Sequence, residues 1–92
     1  MIPVSAFLSD ALADVLRKAP LTPEKVAFAW RAAVGASVDR VTRVSLSGHV
    51  LQVHADNAAW RREIEHSAAL IRTRLDTLLG PGVVRGLNVT ID

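Results

Sequence analysis

The sequence contains no cysteine. Disulfides and thiolate metal sites are thereby excluded, and a cytoplasmic home fits such a chain best. No apolar run approaches the roughly 20 residues that cross a bilayer as a helix, so no membrane partner is expected. Met1-Ile2-Pro3-Val4 lacks the basic stretch and apolar block of a signal peptide. Glycine is sparse, and Gly80-Pro81-Gly82 is neither a phosphate-binding loop nor a dinucleotide fingerprint. A nucleotide-driven motor is therefore not expected. There is no internal repeat and no low-complexity stretch. Charge of one sign is not in large excess either: eleven basic residues against nine acidic give a formal net charge of +2. Nine of those eleven bases are arginine, the residue better suited to bidentate phosphate or carboxylate recognition.

The 92 residues fit a single domain, 1–92. Half of them are hydrophobic, many of these alanine, and the larger apolar side chains suffice for one compact core. A first helix is expected from about Ser5 to Lys18, with Leu8, Ala11, Leu12, Val15 and Leu16 as its apolar stripe and Pro20 as its end. Thr22-Pro23-Glu24 starts a second helix, with a hydroxyl cap, proline in the first turn and an acid behind it. It runs to about Val34, with Gly35 as a stop and a further turn through Val38 compatible with the pattern. Val26, Trp30, Ala33 and Val34 share its core face, and Phe28 and Ala32 are expected to meet the first helix. Thr42, Val44 and Leu46, then Leu51, Val53 and Ala55, alternate with polar residues around Ser47-Gly48, the pattern of a hairpin with one solvated face. Asp56 or Asn57 caps a long helix, about Asn57 to Leu79, striped by Trp60, Ile64, Ala68, Ile71, Leu75 and Leu78. A last strand follows, Val83 to Ile91. The expected fold is α+β in the order ααββαβ, a three-stranded sheet with the long helix packed on one face.

No catalytic constellation is legible. His49, His54 and His66 lack metal-ligand spacing and are expected to be exposed, and no serine stands in a nucleophile-elbow pattern. Neither a metal nor a cofactor is implied, and the chain is not expected to be an enzyme. Trp30 and Trp60 lie on apolar helix faces and are expected in the core. Arg61-Arg62 is the clearest functional hint, because positive charge in the first turns of a helix opposes its dipole. Helix-end amides and guanidiniums together suit a phosphate, while Arg61 and Glu65, four apart, suit an ion pair. Arg40 and Arg43 on the hairpin, together with Arg31, would extend the same basic region.

Several runs resemble a known family. Ala29-Trp30-Arg31-Ala32-Ala33-Val34-Gly35 is similar to its W-x-x-x-V-G signature. Thr42, then Gly48-His49-Val50-Leu51-Gln52-Val53, resembles its hairpin, and Ala59-Trp60 its long-helix start. Leu75, Leu78-Leu79-Gly80, Val84 and Leu87-Asn88-Val89 resemble its closing segment. The family is the DciA-like group of bacterial replicative-helicase loaders or operators. The resemblance covers about 21–91, the family core, and leaves about 1–20 as an N-terminal helix. It implies a KH-like fold, a DnaB-type hexameric helicase as partner, and assistance in placing that helicase on single-stranded DNA without ATP hydrolysis. Trp30, Val34, Gly35, Gly48 and Trp60 would then be structural. Two departures qualify this. Many members carry an extended basic tail, whereas Asp92 follows the last strand directly, which suggests a minimal version with weak DNA affinity. No G-x-x-G loop lies between helices, which argues against the usual KH backbone clamp. The competing expectations are a stand-alone nucleic-acid-binding module and a structural homo-oligomer pairing through the strand Val83–Ile91.

Overall fold

The computed structural model describes residues 10–91. Its elements are α1 (Asp10–Lys18), α2 (Pro23–Val34), α3 (Ala36–Arg40), β1 (Thr42–Ser47), β2 (Val50–Ala55), α4 (Ala58–His66), α5 (Ala68–Leu79) and β3 (Gly86–Ile91). The sheet has the order β1-β2-β3, with β1 antiparallel and β3 parallel to the central β2. Leu51, Val53 and Ala55 of β2 are buried under the helices, and the intervening Gln52 and His54 lie on the opposite face. The expected mixed α+β order is thus present. At 20 Å in its thinnest direction, the molecule has the depth of one helix layer on one sheet.

The local signals act as their chemistry dictates. Thr22 Oγ1 accepts from the Lys25 N–H at 3.1 Å, and Pro23 opens α2. Gly35 ends that helix at φ 90°, ψ 164°, a region open in practice only to glycine, and the chain re-enters a helix as α3. The turn of the hairpin is Gly48-His49 rather than Ser47-Gly48, because Ser47 still pairs with Val50. Gly48 takes the positive φ of 61° that this tight connection needs. Asn57 caps α4 by accepting from the Trp60 N–H at 3.0 Å. The last strand starts at Gly86, three residues later than expected, and just before it the Arg85 N–H donates to the His49 carbonyl at 2.7 Å.

Three expectations are revised. The expected helix Ser5–Lys18 is seen from Asp10, and residues 5–9 lie outside the described residues. Within it Leu16 packs on the core, whereas Val15, 65% exposed, faces outward. Phe28, expected to meet the first helix, is 48% exposed. Lys25 makes that contact, its Nζ donating to the Arg17 and Ala19 carbonyls at 3.2 and 2.6 Å. A lysine only 7% exposed is stable there because it caps the orphan carbonyls ending α1. The expected long helix is two. At Ser67 the N–H is shared between the Glu63 and Ile64 carbonyls, and the chain resumes as α5. The break redirects the apolar stripe. α4 packs on β2 and β3, and α5 packs on α1 and α2.

Trp30 is the largest fully buried side chain. Its indole N–H donates to Thr42 Oγ1 at 2.9 Å, and that hydroxyl donates to the Val38 carbonyl at 2.8 Å. A buried tryptophan normally finds such a partner. The pair locks α2, α3 and the start of β1 into one unit. Arg74 of α5 adds a second cap, its Nη1 donating to the Ala33 carbonyl near the end of α2 at 2.8 Å.

Candidate nucleic-acid interface

The chain path gathers the sequence-predicted arginines at one end of the sheet. Thr42, first in β1, pairs with Ala55, last in β2, and Ala55 pairs with Ile91, last in β3. Arg40 ends α3 two residues before β1, and Arg43 is the second residue of β1. Arg31 lies in the last turn of α2, held to this end by the Trp30–Thr42 bond. Arg61 and Arg62 lie near the start of α4, which leaves the sheet just after Ala55. All five side chains are exposed. Their neighbourhood is mixed, because Asp39 and Asp56 lie at the same end, and the Asp56 N–H bonds the Val41 carbonyl at 3.1 Å.

Helical phase separates the two α4 arginines by about 100°. Arg61 lies 4.0 Å from Glu65, the contact its spacing suggested. Arg62 makes no ion pair with any described residue and projects from the outer side of the helix. The first turn of α4 carries no acid, so its end amides and the nearby guanidiniums leave a locally positive surface.

The histidines do not form a site. No group of three or more His, Cys, Asp or Glu among the described residues is placed to hold a metal ion. His49 Nδ1 lies 3.3 Å from the Val83 carbonyl. His54 is only partly exposed, contrary to expectation, because it sits on the middle strand with Nδ1 3.1 Å from Thr90 Oγ1. Beside it, Asn88 Nδ2 donates to Gln52 Oε1 at 2.8 Å, so the open sheet face is tied by polar side-chain bonds. The hydrogen bond and charge of Lys18, with help from Arg17, hold Asp14 below the ordinary carboxylate range.

Two adjoining hollows flank α4, and sequence reasoning found neither. One, of about 120 Å³, lies between Val34, Val38, Ile64, Leu70 and Arg74. Leu70 on its rim is 50% exposed. The other, about 430 Å³ and wide open, is bounded by Ala59, Trp60 and Glu63, and Glu63 borders both. Trp60 was expected in the core. It packs against the core with part of its ring and leaves the rest at the surface. No sequence signal marks the difference, since its helical phase points inward as that of Trp30 does.

This geometry defines a small two-layer α+β domain with five exposed arginines gathered toward one end of its sheet. Its sequence places it more closely. The chain belongs to the DciA family, whose model, described as "Dna[CI] antecedent, DciA", matches residues 3–89. That family serves DNA replication as helicase-loading accessories rather than catalysts. No curated protein matches the chain at a significant level. In the structure the family-like positions Trp30, Gly35 and Gly48 hold the core, a helix break and a turn, respectively.

Proposed function

We propose that this protein, as a one-domain KH-like accessory in the cytoplasm, binds a DnaB-type replicative helicase and helps seat it on single-stranded DNA. It hydrolyses no nucleotide in this role. The observation that carries the reading is the family match across residues 3–89. The exposed arginines Arg31, Arg40, Arg43, Arg61 and Arg62 at one sheet end supply a surface for the DNA phosphates. Helicase contact is the primary activity and DNA contact the weaker one.

The test is a pull-down with purified replicative helicase, with and without single-stranded DNA. A complex in both conditions is expected, and no complex at tens of micromolar overturns the reading. The exposed arginines favour one alternative, a stand-alone nucleic-acid-binding module. That module would bind single strands with strong salt sensitivity and leave the helicase alone. Under either reading, changing Arg61 and Arg62 together to alanine weakens DNA binding. It also flattens the salt slope by about 1.4, roughly 0.7 for each phosphate that is no longer neutralised. An unchanged affinity and slope remove α4 from the interface.

A further inference from the structure

The two tryptophan indoles are treated differently by the fold. Trp30 is sealed and its N–H is bonded. Trp60 leaves part of its ring open, and its N–H bonds to no described residue. Indoles at protein surfaces with one apolar face and one free polar tip are characteristic of binding sites. The open part faces the hollow bounded by Ala59 and Glu63. Ala59 has no side chain beyond its methyl, so it leaves the approach to the ring clear. The hollow is an open depression, so a flat ring can approach the indole from solvent.

The surrounding charge selects the ligand. Glu63 makes no ion pair with any described residue, and it stands at the rim. It repels a phosphate from the hollow itself and accepts a hydrogen bond from an exocyclic amine. Arg62 stands three residues on from Ala59, so the two are neighbours on the helix surface. Arg61 lies on the opposite flank, toward Glu65. The ligand is therefore a planar, amine-bearing ring with an anion about one side-chain length away, which describes a nucleotide within a strand.

We propose that the Ala59–Trp60–Glu63 hollow seats one unstacked base of a single-stranded nucleic acid, stacked on the Trp60 indole, with Arg62 on the adjoining phosphate. The proposal rests on the DNA contact of the preceding section and assigns its centre. It also divides the labour between the α4 arginines: Arg62 holds the phosphate beside the seated base, and Arg61, toward Glu65, belongs to the wider basic surface. Amino-bearing bases are preferred to thymine, because they offer Glu63 an exocyclic amine, whereas thymine's one donor, its N3–H, lies between two carbonyls that a carboxylate repels.

The experiment titrates short homopolymers of deoxycytidine and of thymidine into the full chain. Anisotropy of a labelled strand reads binding, and intrinsic tryptophan fluorescence reads stacking. Binding is expected to quench the fluorescence and to be tighter for deoxycytidine. In Trp60→Phe the remaining Trp30 signal is silent while binding is largely kept. In Trp60→Ala affinity falls on the order of tenfold, the scale of one base–aromatic stack. Arg62→Ala weakens binding more than Arg61→Ala. Glu63→Leu erases the preference for deoxycytidine. If anisotropy shows binding without quenching, and Trp60→Ala binds as tightly as the parent, the base seat is wrong while the DNA contact stands. If no strand binds at all, the DNA contact itself fails. If Trp60→Ala loses the helicase and keeps the DNA, the hollow is a protein contact and the proposal is overturned. Should Trp60→Ala fail to melt cooperatively, the Trp60→Phe, Arg62→Ala and Glu63→Leu arms decide alone.

Discussion

Trp30 and Trp60 each sit on the core side of a helix that leads to or from the same end of the sheet. Trp30 is 1% exposed, bonded to Thr42 and surrounded by α2, α3 and β1. Trp60 lies near the start of α4, beyond the last paired residue of β2, and it packs on the core while staying partly exposed. The same side chain at similar helical phase thus becomes a keystone in one place and an open surface in the other. The difference comes from what lies above the ring, not from the helix that carries it.

The sharpest way to break that comparison is to truncate both rings. Trp30→Ala should cost about 3–5 kcal/mol, as burial of a large aromatic with little room to collapse requires. Against a total of about 5–15 kcal/mol for a natural domain, that loss abolishes cooperative unfolding or lowers its midpoint steeply in urea. Trp60 keeps part of its ring in water already, so Trp60→Ala should cost roughly half as much. Equal losses would show that Trp60 is as structural as Trp30.

Thr42→Val is the next largest effect. It keeps the shape while removing the acceptor for the Trp30 indole and the donor to Val38, at about 1–3 kcal/mol for a buried donor left unmet. Thr42→Ser should restore most of it, and chemical denaturation of the three proteins measures both. Neither variant should disturb fluorescence changes that belong to Trp60.

The smallest effect is a pH dependence far from both rings. Asp14 titrates below the ordinary carboxylate range because Lys18, and then Arg17, stabilise its charge. A carboxyl depressed in the folded state adds stability above its unfolded pKa and loses it as pH falls through the folded one. Asp14→Asn should therefore lose less melting temperature than the parent on acidification. The change is small, since the pair is exposed and screened by solvent.

Much of this fold was legible from residue pattern. The caps at Thr22 and Asn57, the stop at Gly35 and the alternation through β1 and β2 each declare themselves by local chemistry. The break at Ser67 did not. Ile64 and Ile71 lie seven apart, so the apolar stripe continues in phase across it, and serine is no strong helix breaker. Lys25 and Arg74 were equally hidden. A basic residue that caps a distant helix end looks, in sequence, like any solvated charge. The arginine-bearing end could be suspected only residue by residue, because strand pairing rather than spacing brings Arg31, Arg40, Arg43 and Arg61 toward one end of the sheet. The open ring of Trp60 was missed because periodicity reports a side chain's direction and not what covers it.

The parallel pairing of β3 with β2 carries a temporal consequence. The central strand gains its second neighbour from Gly86–Ile91, about 36 positions downstream by the Gln52–Asn88 register. The hairpin and the helices α1 to α5 are all synthesised before that neighbour exists. A chain leaving the ribosome therefore exposes one side of its middle strand until that last strand emerges. Closing that long-range pair is the slow step that topology assigns to this fold, and the final six-residue strand acts as the latch of the whole sheet.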